Sequence, residues 1–93
     1  MKKPLGFSIS VSGRDDGTLE AAYIYCARAK VAETREIIED VLLADLDKFG
    51  NLVGIEVLAP VRLRDVTKLV PQEMRAPFRT FVKNSAPATL VTA

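Results

Sequence analysis

The sequence predicts an α+β fold: a small antiparallel β-sheet, laid out as a β-hairpin and meander, followed by short C-terminal helices. Three observations carry that expectation. Apolar and polar residues alternate near the start, turn signals containing Asp and Gly separate the alternating runs, and a basic, proline-interrupted segment with helical spacing takes over after Pro60.

Phe7, Ile9 and Val11 alternate with Ser8, Ser10 and Ser12, the period of two of a half-buried strand. Asp16 and Gly17 then supply a tight-turn signal. A second strand over 19–27 would set Ala22, Ile24 and Cys26 on one face and Tyr23 and Tyr25 on the other, so 7–27 reads as a hairpin. Residues 31–46 satisfy two patterns. Ile37, Ile38, Val41 and Leu42 suit one face of a helix, whereas 32–38 and 41–46 suit two strands about a Glu39–Asp40 turn. The β-branched content and the hairpin signal that follows favour strands. Asp47 to Asn51 is a turn in which Gly50 is free to take a positive φ, and 52–58 returns as a strand stopped by Pro60.

Beyond the sheet, Asp65 is the expected N-cap of a short helix over 66–70. Pro71 and Pro77 suit first helical positions, so a second helix is expected over 78–84, with Phe78, Phe81 and Val82 inward and Arg79 and Lys83 outward. Residues 86–93 carry no pattern and are expected to fray. The chain reads as one domain over 1–93, with sheet at about 5–60 and a helical, basic tail at 61–85.

The composition is that of an ordinary globular chain: 93 residues, 48% hydrophobic, 27% charged, net charge +1. Histidine is absent and cysteine occurs once. That excludes a His-based triad, an HExxH zinc site, a cysteine-cluster metal site and an intramolecular disulfide. No enzyme activity and no cofactor are expected, and a single reduced cysteine suits the cytoplasm. Lys2 and Lys3 resemble the start of an export signal, but the run after them lacks the ~7–15 continuous apolar residues of a signal core. No run approaches the ~18–20 apolar residues that a membrane span needs, so no membrane association is expected.

Charge is divided unevenly. Residues 1–58 hold seven basic and ten acidic side chains, and 59–93 hold six basic and two acidic. The basic set (Arg62, Arg64, Lys68, Arg75, Arg79 and Lys83) could bind phosphates, or could complement the acidic half of the same or a neighbouring chain. Asp45, Asp47, Gly50 and Glu56 have the spacing of a calcium loop, but Phe49 supplies no oxygen where a ligand is required. Asp45, Asp47, Gly50 and Gly54 are therefore assigned to the structure of the turn, and no metal is expected. Cys26, flanked by apolar residues, reads as buried and inert.

A chain this short buries only about 60–65% of its unfolded surface, and this one has four Phe, two Tyr and no Trp to enlarge its core. Association is a common remedy, and a homodimer is expected. Tyr23, Tyr25, Leu42, Leu46 and Leu52 are the candidate interface residues. The alternatives are a nucleic-acid-binding regulator that uses the basic segment, or a small-molecule binder.

The run from Leu43 to Leu58, with Asp45, Asp47, Gly50, Leu52, Val53, Gly54, Ile55 and Glu56, resembles the family known as domain of unknown function 2283. Upstream, Ala22 to Cys26 and Lys30 to Thr34 resemble the segments that precede it in these small bacterial proteins. The resemblance spans about residues 15–60. This chain departs from the pattern at Leu46, Phe49, Ala22 and Cys26, and in its longer basic tail. The resemblance implies an antiparallel sheet with C-terminal helical structure, which favours strands over a helix at 31–46. It implies no catalytic residues. It also implies pairing with a small toxin-like protein, which would make the chain an antitoxin-like partner.

Overall fold

The computed structural model describes residues 6–93, so Lys2, Lys3 and the first residue of the expected sheet lie outside the described residues. Five strands follow one another: β1 (Ser8–Gly13), β2 (Leu19–Tyr25), β3 (Glu33–Ile38), β4 (Leu42–Leu46) and β5 (Leu52–Val57). They form one antiparallel sheet in the order β1-β2-β5-β4-β3. Two hairpins, β1–β2 and β3–β4, thus flank β5, which pairs with both β2 and β4. A two-residue strand β6 (Val61–Arg62) leads into helix α1 (Leu63–Thr67), a single 3-10 turn at Gln72–Met74, helix α2 (Arg75–Ser85) and a last short strand β7 (Val91–Thr92). The fold is α+β, as the sequence predicts.

The turns form where their residues make them cheap. Gly17 and Gly50 take positive φ values of 87° and 83°. The Asp47 carboxylate accepts hydrogen bonds from the amides of Phe49 and Asn51, at 2.8 and 2.9 Å, which closes the β4–β5 turn. The expected Glu39–Asp40 turn is present, with Asp40 in the left-handed region at φ 60°. Its hairpin is not regular, because Ile37 is an extra residue of β3 between the pairs Glu36–Leu43 and Ile38–Leu42.

The core lies between the sheet and the helical layer. Ile24, Leu42, Ile55 and Val57 from the sheet meet Val66, Val70, Phe78 and Val82 from the helical side, all fully buried. Phe7 packs edge-on against Phe78, with ring centroids 5.3 Å apart. The layer covers the middle of the sheet and stops short of β3, whose six residues are all exposed.

Three C-terminal expectations are corrected. Asp65 is not an N-cap: α1 begins two residues before it, behind Arg62, with no side-chain cap. The β6 pairing carries the chain straight into the helix, so the buried Leu63 and Val66 fix its start rather than a polar cap. Helix α2 starts at Arg75, placing Pro77 third in the first turn, where its missing N–H has no helical partner to lose. Residues 86–93 are not frayed. Leu90 is buried at 4% exposure, and Val61 and Arg62 pair in parallel with Val91 and Thr92. That pairing joins positions thirty residues apart, which local patterning does not reveal.

Candidate functional site on the open face of the sheet

The face of the sheet turned away from the helices carries an ordered polar and aromatic network. Strand registers set two rows across it. One row runs Ser10, Tyr23, Glu56, Leu43 and Glu36, and the next runs Ser8, Tyr25, Gly54, Asp45 and Thr34. Alternation along β2 delivers both tyrosines to this face, because Ala22, Ile24 and Cys26 are buried on the other.

The tyrosines depend on a glycine. Strand β5 separates β2 from β4, and any side chain at position 54 would stand between them. A Cβ built there would overlap the Tyr23 hydroxyl and ring. With Gly54 the ring instead crosses β5, and its hydroxyl donates to Asp45 Oδ2 at 2.6 Å. The other oxygen of Asp45 accepts from Thr34 Oγ1, also at 2.6 Å. One carboxylate thus ties β2, β4 and β3 together over a gap in β5. Tyr25 stacks beside Tyr23, with centroids 4.6 Å apart and planes tilted by 59°.

Burial and the hydrogen bond to Asp45 hold the Tyr23 hydroxyl well above the usual tyrosine range, so it keeps its proton and acts as a donor. Asp47 goes the other way. The Asn51 amide, helped by that of Phe49, holds its carboxyl below the ordinary value. The two aspartates are two residues apart and serve different partners. Among the described residues, no three His, Cys, Asp or Glu side chains gather to hold a metal ion.

The expected site residues separate accordingly. Asp47 and Gly50 belong to the turn, as predicted. Asp45 and Gly54 do not: both lie inside strands, and their roles are the carboxylate anchor and the space for a ring. Of the candidate interface residues, Tyr23 and Tyr25 stand on the open face. Leu42 does not, because it is fully buried under the helices. Leu46 and Leu52 line a hollow on the helical side with Leu69, Val70 and Met74. The cause for Leu52 is a register shift between Asp45 and Leu46, which turns it toward the core instead of along with Gly54. Thr34 was not anticipated. Counting back from the Glu39–Asp40 turn would have placed it opposite Asp45.

Burial pushes the Cys26 thiol up to about 12, so the thiolate that reactivity needs is scarce at neutral pH. The basic residues also divide. Arg75, though exposed, folds back onto the preceding loop, its guanidinium donating to the carbonyls of Val70 at 3.0 Å and Lys68 at 3.3 Å, so it is a structural brace. Arg62, Arg64, Arg79 and Lys83 line a separate cleft beside α2.

Residues 16–59 match the family model described as a protein of unknown function (DUF2283). The match covers the tyrosines, Thr34, both aspartates and Gly54. No curated protein and no solved structure matches the chain. No helix among the described residues is long and apolar enough to cross a membrane.

Proposed function

We propose that this sheet, whose strands β2 to β5 fall within the match to the DUF2283 model, is with the helices packed behind it a non-enzymatic interaction module of the cytoplasm that pairs with a second copy of itself through the open face. The observation that carries this reading is Tyr25: it is 47% exposed on a face the helices leave uncovered, and it is braced by Tyr23. A ring already held in place loses little freedom on docking, and tyrosine is a frequent anchor of protein contacts. Ser8 and Ser10, opposite the two tyrosines, supply a polar border that suits the rim of such a patch. A twofold contact uses the same patch on both copies and adds burial to a small core.

Light scattering at tens of micromolar protein tests it. At about 0.5 M salt, where exposed charges are screened, the expected mass is twice the 10.2 kDa of one chain, and Tyr25→Glu, which places a charge at the centre of the contact, shifts it to one chain. A wild-type monomer at that concentration contradicts the reading.

A further inference from the structure

The cleft beside α2 has the opposite character to the tyrosine face. Its volume is about 450 Å³, its apolar wall includes Val82 and Val91, and Arg62, Arg64, Arg79 and Lys83 surround it. Among the described residues the only ion pair is Arg35–Glu33, so these four cations have no carboxylate partner within 4.0 Å. Four like charges around an apolar wall suit an aliphatic segment that carries acids.

Such a segment exists at an edge of the sheet. At the β3–β4 tip the extra residue in β3 leaves Ile37 and Ile38 exposed at 40% and 38%, beyond the cover of the helices. Glu39 and Asp40 follow at once, both exposed. Glu36 accepts from the Asp40 amide at 3.2 Å, which helps fix the shape of the tip.

We infer that the β3–β4 tip of one copy docks in the α2 cleft of another, the isoleucines against its apolar wall and Glu39 and Asp40 among its cations. The contact rests on the self-association reading and adds to it a second, charge-driven surface away from the tyrosines. Both halves belong to the same chain, so each copy carries the complement of the other. The −3 of residues 1–58 and the +4 of residues 59–93 favour apposition of unlike halves.

The test is mass against salt, from about 0.05 to about 0.5 M, a range over which exposed charges become screened. Wild-type mass should rise as salt falls. A cleft variant, Arg79→Glu with Lys83→Glu, and a tip variant, Glu39→Lys with Asp40→Asn (asparagine tolerates the left-handed backbone), should each weaken that step by about tenfold or more. Mixing the two variants should restore it, which misfolded chains would not do. Tyr25→Glu should leave the salt-dependent step in place. A mass independent of salt, a low-salt rise that survives in either variant alone, or a mixture that stays dissociated overturns the inference. If mass is independent of salt yet falls with Tyr25→Glu, the tyrosine face stands and the tip contact fails. If the wild type is monomeric at every salt level, both fail.

Discussion

Strand β5 sends Ile55 and Val57 toward the helices and Gly54 and Glu56 toward the open side, and different forces fix the two sets. On the covered side many apolar groups share the load. Each contributes about 1.5–3 kcal/mol by leaving water, so a volume-conserving exchange can be absorbed by its neighbours. The open side depends on a few groups in series. Gly54 makes room for the Tyr23 ring, Tyr23 reaches Asp45, and Asp45 holds Thr34. A chain of single contacts is ordered at little cost in apolar area, but no neighbour replaces a missing link. A face of the first kind makes a core, and one of the second kind presents a shaped surface.

The largest effect should come from the covered side. Leu42→Ala is expected to lower unfolding free energy by about 2–5 kcal/mol in urea, because the site is fully enclosed and cannot collapse. A cost below about 1 kcal/mol would mean that the helical layer is not where stability resides. Gly54→Ala comes next, at about 1–3 kcal/mol, through overlap with the Tyr23 ring. A double-mutant cycle isolates the cause: in a Tyr23→Ala background most of that cost should vanish.

Tyr23→Phe keeps the ring and removes the bond to Asp45, for a loss of about 1–2 kcal/mol. Its pH signature is distinctive. The folded hydroxyl titrates above the ordinary 10.0, so its contribution is whole below that pH and is lost as pH rises beyond it. Unfolding curves of the wild type should show that alkaline loss, and those of the variant should lack the component. Asp47→Asn should give the smallest change. The folded carboxyl lies below the ordinary 3.8, so its contribution is present above that pH and fades as pH falls through the folded value. The variant should flatten that part of the acid limb by losing the contribution at neutral pH, a small fall in stability there that shrinks to nothing in acid.

Much of this was legible locally. The alternation around Ser8, Ser10 and Ser12, the turn at Asp47 and Gly50, and the inward Cys26 follow from neighbours in sequence, and the strands form close to where they are expected. What was not legible depends on pairings between distant segments. Asp45 sits two residues before a true turn aspartate, so spacing alone groups the pair. Its partners are Tyr23, 22 residues upstream, and Thr34, 11 residues upstream. Gly54 reads as a turn residue because glycine usually is one, and only the placement of β5 between β2 and β4 shows that it clears space for a ring. Leu52 reads as outward on strict alternation until the register shift turns it toward the core.

The claim that the open face is the contact between two copies is open to one direct measurement. The chain has no tryptophan and only two tyrosines, both on that face, so its ultraviolet emission reports on the face alone. Acrylamide quenching of that emission should weaken as protein concentration rises from the submicromolar to tens of micromolar, in step with the doubling of mass, and Tyr25→Glu should abolish the change. If quenching stays constant across that range while the mass doubles, the tyrosine face is not the contact and the account is contradicted.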